Sequence, residues 1–162
     1  MGTGHSRRSR QLYRKEIVIL IAHRGNTAGP SPEENRPEHV ETALAGGFDV
    51  EIDVWHVEGS WFLGHDSAEY EIEESFLENT RLWCHAKNLS ALERMLANGN
   101  IHCFWHQEDD VQLTSRGYIW TYPGKPYGSR SICVLPADPS SIEGAGGICL
   151  DDFSVLETNE RS

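Results

Sequence analysis

Four short strings of this chain carry residue types that do acid–base, metal or phosphate chemistry, and each stands at or near the end of an apolar run. His23-Arg24-Gly25 follows residues 17–22 directly. Glu51 and Asp53 are two apart within 48–54, so on a strand both carboxylates point to one face. Burying two carboxylates together is costly unless a cation or hydrogen-bond donors compensate, which makes them candidate ligands for a divalent metal. His65-Asp66 follows 61–64, and His85 and Lys87 are again two apart on one strand face. Imidazole titrates near pH ~6.5, so one ring can accept a proton while another donates one close to neutrality. Each string alone has a plainer explanation: a surface histidine, a salt-bridged edge. Together they are harder to dismiss, because three successive strand segments deliver histidine–arginine, glutamate–aspartate and histidine.

The elements that must position these residues are short. Eight runs rich in apolar, β-branched or aromatic residues read as strands: 17–22, 48–54, 60–64, 82–86, 101–105, 118–121, 132–135 and 147–150. A helix over 38–45 carries Val40, Ala43 and Leu44 on one face and ends at Gly46-Gly47. A second helix over 91–97 places Leu92 and Leu96 on one face, with Ser90 as its expected N-cap. Residues 109–115 are a shorter helical candidate, and 72–77 a weaker one. Strand, crossover and strand in alternation imply a mainly parallel sheet. Eight strands imply a compact TIM-type (β/α)8 barrel, in which strand ends gather at one rim. Such barrels take ~250 residues. This chain has 162, so several outer helices must be shortened or missing. A smaller open α/β sheet is the competing architecture.

At these residues the chain resembles the glycerophosphodiester phosphodiesterase family, within the wider phosphatidylinositol-phospholipase-like superfamily. The strings that carry the resemblance are Ala22-His23-Arg24-Gly25, Pro32-Glu33-Glu34-Asn35, Val50-Glu51-Ile52-Asp53-Val54 and Gly64-His65-Asp66, in matching order and spacing. Residues 82–88 and 119–121 look like two later strand ends of the same family. The resemblance implies a TIM-like barrel, a divalent cation and hydrolysis of a glycerophosphodiester to glycerol phosphate and an alcohol. It makes His23 and His65 the acid/base pair and Glu51 and Asp53 the metal ligands. Arg24, Lys87, Trp120 and Asn35 become substrate contacts, and Glu34 a further acid at the metal. Mg²⁺ is the first choice of ion, with Ca²⁺ and Mn²⁺ as alternatives. One departure stands out: His85 aligns with the family's third metal carboxylate. An imidazole there either softens the site or has left the metal shell.

Composition bounds the partners. Lys and Arg number 14 against 25 Asp and Glu, a net charge of −11. Five of the basic residues lie in a leader over 1–15 that has no acid, so 16–162 carries −16 as a single domain. An acidic body excludes nonspecific nucleic-acid binding, which needs cations against phosphates. No run approaches the ~20 apolar residues of a membrane span. The leader fits a loose acylation pattern and suggests at most peripheral membrane contact; a flexible start is the simpler reading. Without a secretory signal, and with Cys84, Cys103, Cys133 and Cys149 spread singly through apolar runs, the expectation is a cytoplasmic protein with buried, reduced thiols. His106 and the pair Asp151-Asp152 also follow strands and are secondary site candidates. The expected activity is therefore a metal-dependent phosphodiesterase acting on a small phosphodiester. The rivals are a noncatalytic binding protein of the same fold and a phospholipase acting on lipid head groups.

Overall fold

The structure, a computed structural model, describes residues 18–157. The leader over 1–15 and the start of the first apolar run lie outside the described residues. Ten strands form one curled, mixed sheet: β1 (Ile19–His23), β2 (Asp49–Val57), β3 (Ser60–Leu63), β4 (Tyr70–Ile72), β5 (Leu82–Ala86), β6 (Cys103–Trp105), β7 (Val111–Leu113), β8 (Ile119–Thr121), β9 (Ser131–Val134) and β10 (Gly147–Leu150). The helices are α1 (Pro37–Ala45), α2 (Glu74–Leu77) and α3 (Leu89–Ala97). Seven strands are parallel, in the order β6-β5-β2-β1-β10-β9-β8. Three pairings are antiparallel: β2 with β3, β3 with β4, and β7 with β8. No helix among the described residues is long and apolar enough to cross a membrane.

The curl is visible in which side chains meet. Trp83 on β5 and Trp120 on β8 have four strands between them in the sheet, yet their ring centroids are 6.2 Å apart. Ile21, Trp83, Phe104, Trp120, Ile132 and Cys149 come from six strands and form one inner cluster. Alternate residues of β1 and β5, among them Ala22, Leu82 and Cys84, together with Val50, Ile52 and Val54 of β2, face outward and pack with Val40, Ala43, Ala91 and Met95 of the helices. Period-two alternation thus builds two cores, one on each face. The inner one is a floor of aromatic rings. It excludes water from beneath the polar strand ends above it.

The expected (β/α)8 barrel is not what the chain forms. The ladder stays open, since β6 pairs only with β5, and its approach to the far edge runs through the β7–β8 turn, where Cys103 O accepts from Ser115 N at 2.8 Å. All three helices lie in the first hundred residues, against the β2, β5 and β6 side of the sheet. The later connections cannot supply more. Residues 122–130 hold Pro123, Gly124, Pro126 and Gly128, and 135–146 manage a single 3₁₀ turn (Pro139–Ser141). The result is a half-barrel dominated by sheet.

Two local expectations change as well. Residues 109–115 are not helical: Val111–Leu113 is strand β7, drawn into register with β8 by the pairs Val111–Thr121 and Leu113–Ile119. Backbone pairing overrides a weak helical pattern in a run this short. The cap of α3 is Asn88, not Ser90. Asn88 Oδ1 accepts from Ala91 N at 2.9 Å, while the Ser90 hydroxyl pairs with His56 Nδ1 at 2.8 Å.

Candidate active site and metal cluster

β1 and β5 end on either side of β2, with His23 paired to Glu51 and Asp53 paired to His85 in the parallel register. In-register neighbours on one face bring their side chains together, so three strands deliver their polar residues to one point. Beside them is a cavity of about 350 Å³, whose lining includes His23, Arg24, Glu51, Asp53, His65, His85, Lys87 and Trp120. That size suits a small organic phosphate. The sequence therefore identified most of the lining. Two turns complete the placement. Gly25 has φ +87°, and a Cβ there would lie 2.8 Å from the His39 ring, so the turn after Arg24 requires glycine. Gly64 is equally constrained: a Cβ would meet Ser67 O at 2.0 Å, in the turn that aims His65 at Asp53.

Asp53 is the centre of the polar network. It is 1% exposed. Asn35 holds it twice, donating from Nδ2 to Oδ2 at 2.9 Å and accepting from the Asp53 backbone N–H at 2.9 Å. Asn35 is itself buried, at φ +62°, with its amide committed to Asp53. It orients a carboxylate and is not free to touch substrate. His65 Nδ1 lies 3.2 Å from Oδ2, and Lys87 Nζ lies 3.7 Å from Oδ1. Burial pushes the Asp53 carboxyl up, but bonds from His65, from His85 when its Nδ1 carries a proton, and from Asn35 outweigh it and hold the group well below the usual carboxylate range. Glu51, 2% exposed, moves the other way: burial and the neighbouring Asp53 charge raise it.

The partners fix the histidine tautomers. Arg24 Nη2 lies 3.2 Å from His65 Nε2; a guanidinium can only donate, so Nε2 accepts and the His65 proton sits on Nδ1, facing Asp53. His85 is the reverse case. Its Nε2 lies 2.9 Å from the His106 carbonyl, which can only accept, so Nε2 carries the proton. His85 Nδ1 then faces Asp53 Oδ1 at 3.1 Å and Glu51 Oε1 at 3.8 Å. One ligand atom from each of Glu51, Asp53 and His85 lies within 4.8 Å of the others, a spacing that could hold a metal ion. A histidine that gives its second N–H to a carbonyl is the usual outer support of a metal ligand.

His23 stands on the other side of Glu51. Its Nδ1 is 2.9 Å from Asp151 Oδ1, and its Nε2 is 3.8 Å from Glu51 Oε2. Burial lowers its pKa, but the Asp151 bond and the Glu51 charge prevail and leave it raised. Asp151 is fastened in turn by Asn26 Nδ2 at 2.9 Å, and the same amide nitrogen donates to Glu34 Oε1 at 2.8 Å. Glu34 accepts from Arg24 Nη1 at 3.0 Å, so it steadies the arginine and stands outside the metal cluster. Asp151 was only a secondary candidate in the sequence, and Asn26 and His39 had no role. Their signal is tertiary: Asn26 is buried and accepts from His39 Nε2 at 3.1 Å, a contact that no local pattern announces. His106 does line the cavity. Trp120 is 4% exposed and packs on Phe104 at 4.6 Å, forming a wall.

Comparison with protein-family models, curated proteins and solved structures finds no match to this chain. The class of site is therefore defined by its chemistry alone: a buried, two-carboxylate, one-imidazole cluster beside two fixed cations and a carboxylate-held histidine.

Proposed function

We propose that the protein is a metal-dependent phosphodiesterase acting on a glycerophosphodiester-type substrate. The observation that carries this reading is the composition of one cavity, lined by the Glu51–Asp53–His85 cluster, the cations Arg24 and Lys87, and His23, which Asp151 holds from behind. A phosphodiester is a monoanion whose hydrolysis builds charge on its phosphoryl oxygens, and this lining meets that charge with cations. A divalent cation held by Glu51, Asp53 and His85 would add Lewis acidity at a phosphoryl oxygen.

The chain's own residues have distinct tasks. Arg24, held at Nη1 by Glu34 and close to Asp53 through Nε at 3.4 Å, presents its charge to the cavity together with Lys87. Asp151 keeps the His23 proton on Nδ1, which leaves Nε2 as a base toward the cavity. In the proposed step a water or a substrate hydroxyl loses its proton to His23 Nε2 as its oxygen bonds to phosphorus. The opposite phosphorus–oxygen ester bond breaks, and the departing alkoxide is protonated. His65 takes that second role in its protonated form, because in its neutral form Nε2 is an acceptor facing Arg24.

The test is release of glycerol 3-phosphate from glycerophosphocholine, with chelator and with each divalent ion in turn. Turnover should vanish with chelator and fall by ~10²–10⁴-fold in His23→Ala. Wild-type rates in that variant, or release that ignores chelation, would sink the proposal. Diester binding without release would select the noncatalytic alternative.

A further inference from the structure

The proposed function leaves the identity of the cation open, and His85 narrows it. The ring is immobilised by stacking on Phe104, with centroids 5.2 Å apart and planes 8° from parallel, and by its Nε2 bond to the His106 carbonyl. A half-turn of the ring would keep the stack but forfeit the His106 bond, so that bond fixes which nitrogen faces inward. The Nδ1 lone pair points at the carboxylates, and two lone pairs 3.1 Å apart repel unless a proton or a cation lies between them. The outer carboxylate oxygens are already engaged: Asp53 Oδ2 by Asn35 and His65, Glu51 Oε2 by the Arg24 backbone N–H at 3.3 Å. Lys87 Nζ, 3.7 Å from Asp53 Oδ1, is beyond hydrogen-bond reach. What remains to converge is Asp53 Oδ1, Glu51 Oε1 and His85 Nδ1.

We infer that this cluster is a mixed nitrogen–oxygen site selective for a later first-row dication of the Fe²⁺-to-Zn²⁺ series over Mg²⁺ and Ca²⁺, with Nδ1 of His85 as the discriminating ligand. Ca²⁺ seeks six to eight oxygens and Mg²⁺ an octahedron of hard ones, whereas imidazole suits the later ions. This corrects the order of ions expected from the family resemblance, which favoured Mg²⁺. The inference rests on the metal half of the proposed function and is independent of the reaction.

The experiment uses the full chain, stripped with chelator and titrated calorimetrically with Mn²⁺, Co²⁺, Zn²⁺, Mg²⁺ and Ca²⁺, alongside His85→Glu and His85→Gln. Visible absorption of the Co²⁺ form reports nitrogen ligation directly. Co²⁺ and Zn²⁺ should bind at least ~100-fold more tightly than Mg²⁺ or Ca²⁺ in the wild type, with Mn²⁺ between them. His85→Glu should compress that ratio to within about tenfold and change the Co²⁺ spectrum. If His85→Glu fails to fold by circular dichroism, His85→Gln decides the matter by losing Zn²⁺ affinity. Equal affinities in the wild type, or a ratio untouched by both variants, overturn the inference while leaving metal-dependent hydrolysis intact. Binding of no ion at all overturns both.

Discussion

Asn35 shows how a single residue can serve this site without touching anything that reacts. Its side-chain amide donates to the Asp53 carboxylate, and its side-chain carbonyl accepts the Asp53 backbone N–H. Its φ of +62° lies in a region that asparagine and glycine enter more readily than other residues. Asn35→Gly keeps the backbone and removes both bonds. Stability should fall by ~1–3 kcal/mol in urea unfolding, because buried partners are left unpaired. Ion affinity should fall ~10–100-fold, the usual cost of losing an outer support. Unchanged ion binding would show that Asp53 holds its orientation without Asn35. The motif Glu34-Asn35 was legible in the sequence, but its task was not. A sequence says that an amide is near a carboxylate in a pattern; only geometry says which of its ends is free.

At the scale of elements, α3 hangs on β2, a strand it does not follow in the chain. Asn88 Oδ1 caps Ala91 N, and Asn88 Nδ2 donates to the His56 carbonyl at 2.9 Å, so one side chain ties the helix start to β2. Ser90 binds His56 instead of the helix. Asn88→Ala should therefore cost ~1–2 kcal/mol, and Ser90→Ala a smaller ~0.5–1.5 kcal/mol through its one hydrogen bond. Urea midpoints of the two variants decide between the caps, and the reverse order would restore Ser90. Both residues are good caps by type. The choice between them depends on where β2 runs, which is a tertiary fact. The same reason explains β7: Val111, Gln112 and Leu113 become a strand because β8 offers an edge.

Across the whole molecule, the inner aromatic floor makes one histidine a reporter of folding. His102 is 3% exposed, packs at a tilt against Trp83 with centroids 4.3 Å apart and pairs with Thr114 Oγ1 at 2.8 Å. Burial, with a smaller push from Arg116, lowers its pKa to about 4. Below its unfolded value near ~6.5, the unfolded chain takes up a proton that the folded chain refuses. Its contribution is complete above pH ~6.5, falls as pH drops toward 4, and is flat below that. Compared with His102→Asn, the wild type should lose roughly 2–3 kcal/mol of its stability advantage between pH 7 and pH 4. A pH-independent difference would mean that His102 reaches solvent. The same floor and the open ladder explain why a chain of 162 residues can carry such a site. Helices cover only part of the outer face, while the inner face seals itself with rings.

All eight sequence runs became strands, and the chemistry-bearing residues fell within them or just after them, because period-two apolar alternation and motif spacing are local properties of the chain. The convergence of His23, Glu51, Asp53, His65, His85 and Lys87 on one cavity followed from parallel register between β1, β2 and β5. Three things lay beyond the sequence. The ring of covering helices failed because the connections after β8 are too short and too rich in proline and glycine to supply them. The Asp151–Asn26 support of His23 joins residues about 125 positions apart, through a contact made only once β10 lies beside β1. The direction of the His85 lone pair was set by the His106 carbonyl and the Phe104 ring, neither of which is its neighbour in sequence. Residue types and their spacing specified the chemistry at hand; which atom faces which was decided by the packing that surrounds them.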